Sequence, residues 1–275
     1  MSDNPLSKLY RNKSIYITLP SHGNFYPSGI NFSIDKELGI MPMTARDEIT
    51  LKSPDALFNG DGLINLIKSC VPDIINPEEI PSCDVDPIVL SIRAASNKII
   101  ELDIECPSCE NKEIYEVDIT KIVSTAKPIN LDDTHILLKD SVKVNIRPYS
   151  LKSQLKANIQ KFHHTRMEYL LSNSEVNDED KVKMFSAAFS EATKLSIELV
   201  SDNIVSVEMF GATVTNPEHI NEWVENMDKE TYKNITDKIK SISNSNMDTS
   251  ISTICNKCQH QHNASIDLNP VNFFM

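Results

Sequence analysis

Glycine is scarce in this chain, and its scarcity excludes several kinds of catalytic site. Only six glycines occur among 275 residues, and none belongs to the glycine-rich loop that cradles phosphate groups in nucleotide-binding proteins. The GxSxG pattern of a nucleophile elbow and the HExxH pattern of zinc proteases are also missing from the sequence. We therefore expect a protein that is not an enzyme and has no small-molecule substrate.

Positive charge is in short supply as well. The chain has 27 lysines and arginines against 39 aspartates and glutamates, so its net charge is −12 and its pI is near 5.0. Such a chain has no broad field that attracts phosphate backbones or anionic lipids. In the densest basic segment, residues 152–166, charges alternate with an apolar helical stripe, which favours a solvated helix face. We expect neither a nucleic acid nor a membrane as partner.

Long apolar runs are the third absence. No segment approaches the roughly 18 apolar residues of a membrane-spanning helix, and the polar residues 1–12 lack the apolar centre of a signal peptide. Six cysteines are too few for a disulfide scaffold in a chain of this length. The sequence predicts a folded protein that is made in a reducing cytoplasm.

The apolar residues follow both strand and helix periods, which predicts an α+β fold. A Ser53-Pro54 pair is typical of a helix N-cap and first turn, and Asp86-Pro87 predicts another helix start. Asn216 and Asp228 are predicted caps of later helices. Short strands are predicted at 14–19, 30–34, 100–104, 115–119, 135–138 and 142–147, and helices at 61–70, from 86 onward and throughout 151–242.

Four of the cysteines form two matched CxxC units. Cys106 and Cys109 stand between two alternating segments, and so do Cys255 and Cys258. In both copies an aspartate, Asp118 or Asp267, follows nine positions after the second cysteine. Two such turns supply the four thiolates that a tetrahedral zinc ion requires. We therefore predict one structural zinc ion per chain, bound by all four cysteines in a zinc-ribbon-like module.

Other interpretations of the cysteines are weaker. In a thioredoxin-type redox pair the CxxC motif leads into a helix, whereas strand patterns follow both motifs here. Disulfides within CxxC turns are unusual in a cytoplasmic protein, and unrelated motifs would leave four thiols without a role. His260 and His262 could replace a cysteine ligand, but Asn111 and Glu113 occupy their places in the first copy. Cys70 and Cys83 lack metal-binding spacing and are expected to be buried free thiols.

A shared zinc site divides the chain into three predicted parts. Residues 1–98 form a mixed α/β domain at the N-terminus. Residues 99–150 and 250–275 form the zinc-stapled β module. Residues 151–249 form a helical insertion between the two knuckles, because the chain must return to the metal after them.

Several long segments resemble baseplate hub proteins of T-even-type contractile-tailed bacteriophages. The resemblance covers about residues 15–120, and the terminal NPVNFF (269–274) shares it more weakly. The segments are LPSHGNFYP (19–27), PMTARDEI (42–49), KSPDALFNG (52–60), IKSCVPD (67–73), PSCDVDP (81–87) and IRAAS (92–96). The resemblance implies a structural role at the tail hub, with assembly in the host cytoplasm and other tail and baseplate proteins as partners. It brings no catalytic residues.

Within the first of these segments, Phe25 and Tyr26 are the candidate partner-binding residues. Aromatic side chains exposed on an irregular loop often anchor protein interfaces. The alternative is a loop packed against its own core. Two other functions remain open: an assembly chaperone that is absent from the mature virion, and a zinc-ribbon adaptor for nucleic acid, against which the acidity of the chain and its five arginines argue.

Overall fold

The computed structural model describes residues 4–51, 60–173 and 178–266 of the chain. The predicted Ser53-Pro54 cap and the terminal segment 269–274 lie outside these residues. Within the described ranges, no helix is both long enough and apolar enough to cross a membrane.

The chain divides into two compact units. The first, which we call unit 1, comprises Met1–Pro77, Asp84–Pro128 and Ser245–Met275, and the second, unit 2, comprises Glu78–Cys83 and Ile129–Asn244. Unit 1 therefore joins the predicted N-terminal domain with both cysteine knuckles. The strands predicted over 135–147 lie in unit 2, together with the helices of the predicted insertion.

Unit 1 begins with a small antiparallel sheet of β1 (Ile15–Ile17) and β2 (Leu38–Ile40). The prediction of a strand at residues 30–34 is wrong, because the second strand is Leu38–Ile40. A turn intervenes, in which the Ser33 N–H donates to the Glu37 carbonyl (3.0 Å) and Lys36 has a φ of 59°. Ile34 is fully exposed at this turn, so the chain reverses before it pairs with β1.

Among the described residues, three helices follow: α1 (Ala45–Leu51), α2 (Asp61–Cys70) and α3 (Ser82–Ser96), which belongs to unit 1 from Asp84 onward. Helix α1 opens with a reciprocal cap, because the Thr44 N–H donates to the Asp47 carboxylate (2.7 Å) and the Asp47 N–H donates to the Thr44 hydroxyl (3.2 Å). Helix α2 has the predicted bounds. Helix α3 starts four residues before the predicted Asp86, although proline is favoured in a first turn.

Buried hydrogen bonds account for the early start of α3. The carboxylate of Asp84 accepts a hydrogen bond from the Ser21 N–H (2.9 Å) and another from the Tyr26 hydroxyl (2.9 Å). Asp84 is fully buried, and a buried carboxylate needs such partners. Contacts from residues about 60 positions earlier thus hold the first turn of the helix, and the local sequence does not reveal them.

Two hairpins complete unit 1. Strands β3 (Ile99–Glu105) and β4 (Lys112–Asp118) form the first, and the short helix α4 (Ile119–Val123) follows it with Asp118 as its N-cap. Strands β9 (Ser250–Ile254) and β10 (Gln261–Ser265) form the second. One buried apolar cluster combines residues of α3, of the first hairpin and α4, and the residue after β10: Leu90, Ala94, Ile100, Val117, Ile119, Ile122 and Ile266.

The described residues of unit 2 form an antiparallel sheet in the order β5-β6-β7-β8 and four α-helices. The strands are β5 (His135–Leu137), β6 (Lys143–Ile146), β7 (Ile204–Met209) and β8 (Ala212–Val214), and the helices are α5 (Leu151–Asn173), α6 (Asp178–Ser201), α7 (Pro217–Asn226) and α8 (Lys229–Ile242). Buried residues of the sheet, α6, α7 and α8 share one core: Val144, Ile146, Val200, Ile204, Val207, Ile220, Val224, Ile235, Ile239 and Ile242.

Strands β7 and β8 contradict the prediction of a purely helical insertion. Residues 204–214 form a hairpin that adds to β6, so the segment 151–242 is not helical throughout. Apolar Ile204 and Val207 face the core, and strong helical stripes on both sides mask this short strand pattern. The predicted caps of α7 and α8 are confirmed: Asn216 accepts from the Glu218 N–H (2.8 Å), and Asp228 from the Glu230 N–H (2.9 Å).

Candidate metal centre

The two CxxC motifs form the same turn at the tips of the two hairpins of unit 1. In the first hairpin the Cys106 N–H donates to the Asn111 carbonyl (2.9 Å), and the Glu110 N–H donates to the Cys106 carbonyl (2.9 Å). In the second, the Cys255 N–H donates to the His260 carbonyl (3.1 Å), and the Gln259 N–H donates to the Cys255 carbonyl (2.8 Å). Each turn therefore presents both of its cysteines to one side.

The residue after each second cysteine has a left-handed backbone. Glu110 has a φ of 56° and Gln259 has a φ of 60°. A positive φ is uncommon for residues other than glycine, and its recurrence at equivalent positions shows that the two turns share one backbone path. The sequence duplication is therefore a structural duplication.

The two turns face each other and bring the four sulfur atoms together. The Sγ atoms of Cys106 and Cys258 are 3.6 Å apart, and those of Cys109 and Cys255 are 3.7 Å apart. All four Sγ atoms lie within 4.8 Å of one another. In a disulfide the sulfur atoms are about 2.0 Å apart, so these cysteines are not oxidised pairs.

The spacing matches the ligand shell of a tetrahedral metal ion. With metal–sulfur bonds of about 2.3 Å, the edge of an ideal S₄ tetrahedron is about 3.8 Å long. Cys106 and Cys255 are buried, Cys109 is half-buried and Cys258 is exposed, so the cluster opens to solvent on one side only. The four cysteines can hold one metal ion, with each hairpin supplying two ligands.

The electrostatics of the cluster also favour a bound cation. Burial raises the pKa of the Cys106 thiol, but hydrogen bonds from the N–H groups of Ser108 and Cys109 and from Cys258 outweigh this effect and lower the pKa to about 7. At Cys109 the Asn111 N–H lowers the pKa, whereas burial and the neighbouring thiols raise it to about 12. Four such close sulfurs cannot all be thiolates unless a cation balances them.

A second set of contacts joins the hairpins beside the sulfur atoms. The carboxylate of Glu113, on β4, accepts a hydrogen bond from the Asn256 N–H of the second knuckle (3.0 Å) and one from the Asn111 side-chain amide (2.7 Å). The Tyr115 hydroxyl lies 2.9 Å from Glu113 Oε2 and 3.1 Å from the Ile254 carbonyl oxygen. These hydrogen bonds fix one knuckle against the other.

The sequence prediction did not assign any role to Glu113 or Tyr115. A signal did exist in the duplication: Glu113 matches His262, and Tyr115 matches Ala264. The two copies therefore differ at the positions where one hairpin reaches the other, while they agree at the cysteines. Departures from an internal repeat thus indicate residues that connect its two copies.

His260 and His262 lie outside the sulfur cluster. Their rings stack with centroids 5.9 Å apart, and His262 Nε2 lies 3.3 Å from the Thr253 hydroxyl. The cluster of metal-ligating groups around the knuckles consists of the four cysteines. The histidines are therefore turn and strand residues, as their mismatch with the first copy indicates.

Comparison with known protein families supplies the context for this site. The model of the family described as T4 bacteriophage base plate protein matches residues 31–275, which include both knuckles and all of unit 2. The chain belongs to this family. No curated protein and no solved structure matches it significantly. As a base plate protein, it is a structural component of a bacteriophage tail, with other phage structural proteins as its expected partners.

Family membership confirms the resemblance at the level of the base plate. The match extends the resemblance from residues 15–120 to the second knuckle and the intervening unit. The matched region therefore includes the whole of unit 2 and all four clustered cysteines.

In the loop predicted to bind a partner, the two aromatic residues of this base plate protein differ in their burial. Tyr26 is only 8% exposed and donates its hydroxyl hydrogen to Asp84, so the expectation that both aromatics are exposed is wrong for Tyr26. Phe25 is half-buried and has a φ of 68°. The alternative of a loop packed against its own core thus describes Tyr26, while Phe25 keeps part of its ring at the surface.

The remaining cysteines, Cys70 and Cys83, are buried thiols outside any disulfide, as predicted. Cys70 is fully buried at the end of α2, and burial raises the pKa of its thiol to about 11. A thiol with so high a pKa is a poor nucleophile and a poor metal ligand at neutral pH.

Proposed function

We propose that this base plate protein is a subunit or assembly factor of the tail hub, that it acts through protein–protein contacts, and that one structural zinc ion stabilises it. The observation that carries the proposal is the cluster of four cysteines from two facing hairpins, in a chain of a base plate family. The role at the hub rests on the resemblance of the segments within residues 15–120.

Zinc is the metal that suits this set of ligands best. Four thiolates in a tetrahedron are a common zinc site, and such a site has no open position for water or substrate. Iron also binds four cysteines, and elemental analysis distinguishes it from zinc. A closed zinc site provides rigidity without reactivity, which fits a protein that must keep one shape among several neighbours.

The free energy of metal binding is also large enough to offset the entropic cost of bringing the two hairpins together. Cys109 and Cys255 are 146 positions apart, and closing a loop of that length costs about 4 kcal/mol. Structural zinc binds small peptides with a free energy of about 10–16 kcal/mol at neutral pH. Zinc binding therefore outweighs the closure entropy and joins the second hairpin to the first.

We propose that the loop 20–27 is the partner-binding surface and that its two aromatic residues have different roles. Tyr26 holds the loop from inside through Asp84, and Phe25 presents the exposed part of its ring. We expect Phe25→Ala to weaken incorporation into tail assemblies while metal content and folding stay normal. Tyr16→Ala, which removes a half-exposed aromatic ring outside this loop, is the matched control.

Two measurements test the proposal. Elemental analysis of the purified protein should give one zinc per chain, and a Cys106→Ser/Cys109→Ser double variant should lose it. A full zinc complement in the double variant would contradict the shared site. Mass spectrometry of purified virions should detect the protein in the tail, whereas its absence from virions but presence in assembly intermediates would favour the assembly chaperone.

A further inference from the structure

Unit 1 has a polar cavity between helices α1 and α2. The cavity has a volume of about 430 Å³. Its lining comes from both helices: Arg46, Asp47 and Thr50 of α1, and Gly62, Asn65, Leu66, Lys68 and Ser69 of α2. Most of these residues have a polar or charged side chain, so the cavity suits a ligand that forms hydrogen bonds.

The helical period explains why these residues line one cavity. Arg46 and Thr50 are four positions apart on α1, so they share one face of that helix. Asn65 and Ser69 are four positions apart on α2 and share a face in the same way. Leu66 is almost fully buried and gives the lining an apolar part beneath the polar side chains.

Asp47 is the one carboxylate among the described lining residues, and contacts within the fold already occupy it. It accepts hydrogen bonds from the Thr44 N–H (2.7 Å) and from the Ser69 hydroxyl (3.1 Å). The Arg11 guanidinium lies 3.2 Å from the same carboxylate and balances its charge. Asp47 therefore does not neutralise the cations that line the cavity.

Three donor side chains of this cavity have no acceptor within the described part of the chain. No hydrogen bond or ion pair there engages the side chains of Arg46, Asn65 or Lys68. Glu48 and Asp61 belong to the same two helices, but neither lines the cavity. A guanidinium, an ammonium and an amide thus share one cavity with their donors unused. The cavity is therefore complementary to a negatively charged group.

We infer that this cavity binds a carboxylate side chain from an acidic segment of another base plate protein. The inference rests on the proposal that the chain acts through protein–protein contacts. The Arg46 guanidinium can donate two parallel hydrogen bonds to one carboxylate, and Lys68 adds a second positive charge. Nucleic acids and anionic lipids would be repelled by the net charge of −12 on the rest of the chain, whereas a short acidic segment meets only the local charge.

The size and lining of the cavity favour a peptide over a free inorganic anion. Its volume of about 430 Å³ lies within the range of about 300–1,000 Å³ that is typical of pockets for organic ligands. The Asn65 amide has both a donor and an acceptor, which a peptide backbone can use. Leu66 offers apolar contact to the methylene groups of an aspartate or glutamate.

A labelled acidic peptide tests the inference. The full-length protein should bind a fluorescein-labelled tetraglutamate peptide at about 50 mM salt, with a Kd below about 1 mM read from fluorescence anisotropy. A tetraglutamine peptide should not bind in this range, because it lacks the charge that Arg46 and Lys68 recognise. Binding of the acidic peptide should weaken as the salt concentration rises.

Charge reversal separates this site from the overall charge of the chain. Arg46→Glu and Lys68→Glu should each weaken binding of the acidic peptide at least about tenfold, because each removes a charged donor and adds a repelling carboxylate. Lys121→Glu makes the same change in net charge at an exposed lysine of α4 in unit 1, and it should bind like the parent. Zinc content and the emission of Trp223, the sole tryptophan, should stay normal in all three variants.

Several results would overturn the inference. A parent protein that does not distinguish the two peptides would exclude an acidic segment as the ligand, and so would variants at Arg46 and Lys68 that bind as tightly as the parent. Inorganic phosphate that binds more tightly than the peptide at matched ionic strength would assign the cavity to a phosphate ligand. Self-association that Arg46→Glu abolishes would assign it to a second copy of the chain.

The proposed role at the hub is judged by a separate measurement. Incorporation into virions is followed by mass spectrometry, without any peptide. A protein that is found in virions but does not bind the acidic peptide would lose only the inference about this cavity.

Discussion

Unit 2 is built from an almost continuous stretch of chain around one apolar core, whereas unit 1 regains its last hairpin only after residues 129–244 have been completed. Unit 2 can therefore close through apolar burial among neighbouring elements. Unit 1 must offset the entropic cost of closing a long loop, and the two ends of that loop meet at the cysteine cluster. Of the two units, the one whose parts are farther apart in sequence contains the four clustered cysteines.

Removal of the metal is the strongest test of this difference between the two units. A strong chelator, or Cys258→Ser, should destabilise unit 1 by more than about 4 kcal/mol, since the loop closure is then no longer offset. Hydrogen exchange should accelerate in β9 and β10. Tryptophan emission, which reports unit 2 alone because Trp223 lies there, should not change.

The control for this experiment is Cys70→Ala, which removes a buried thiol outside the cluster. This variant should keep one metal ion per chain. Loss of the tryptophan signal on chelation would show that unit 2 depends on the metal, and the contrast between the units would then fail.

The converse experiment weakens the core of unit 2. Ile239 is fully buried in that core, and Ile239→Ala should lower the stability of unit 2 by about 2–5 kcal/mol. Tryptophan emission should report unfolding at lower denaturant, while the zinc content stays at one per chain. Lys240→Ala, at the exposed next position, should behave like the parent. A parallel loss of zinc in the Ile239 variant would contradict separate stabilisation.

A smaller effect is expected where the two hairpins of unit 1 meet. Glu113→Gln keeps the size of the side chain but weakens the acceptor of the Asn256 N–H hydrogen bond. Residues that orient a metal-binding turn typically change metal affinity by about 10–100-fold. Competition with a zinc indicator should show this loss, while Glu116→Gln on the exposed face of β4 should leave zinc affinity unchanged. Equal affinities in both variants would exclude a role for Glu113.

The smallest effect concerns the cap of α1 and depends on pH. Burial raises the pKa of Asp47, but hydrogen bonds from Thr44 and Ser69 and the Arg11 charge lower it below its usual value. A lowered folded pKa stabilises the protein above the unfolded pKa of about 3.9, and this stabilisation is lost as the pH falls through the folded value. Asp47→Asn should therefore cost about 1 kcal/mol in unit 1 at pH 7.

In acid the difference should disappear. Once the pH lies below the folded pKa of Asp47, the parent and the Asp47 variant should unfold at the same denaturant concentration, because the carboxylate is then protonated in both states. A difference that persists unchanged at low pH would mean that the charge of Asp47 is not the source of its contribution. Thr50→Ala, farther along α1, is a control without such a pH dependence.

Local patterns were sufficient to predict the features that depend on neighbouring residues. The duplicated CxxC units predicted both hairpins and the gathering of their cysteines, because thiolate spacing is a local property with a strong chemical meaning. Asn216 and Asp228 were recognisable as helix caps, since a cap needs only the next turn of the chain. The predicted helix at 61–70 has the observed bounds for the same reason.

Features that depend on distant residues could not be predicted. Tyr26 is buried because its hydroxyl meets Asp84 58 positions later, and Glu113 matters because it meets Asn256 across 143 positions. The strand β7 exists because β6 is there to pair with it, although its own pattern is short. In each case tertiary contacts decide the structure of a segment whose local signals are weak or ambiguous.

The separation of the two knuckles also has a consequence for synthesis on the ribosome. At about 5–20 residues per second, the 146 positions between Cys109 and Cys255 take about 7–30 s to translate. During that interval the nascent chain contains only two of the four clustered cysteines, while the segment Ile129–Asn244 of unit 2 is made. A thiol-reactive probe added during in vitro translation should therefore label Cys106 and Cys109 until Cys258 has left the exit tunnel.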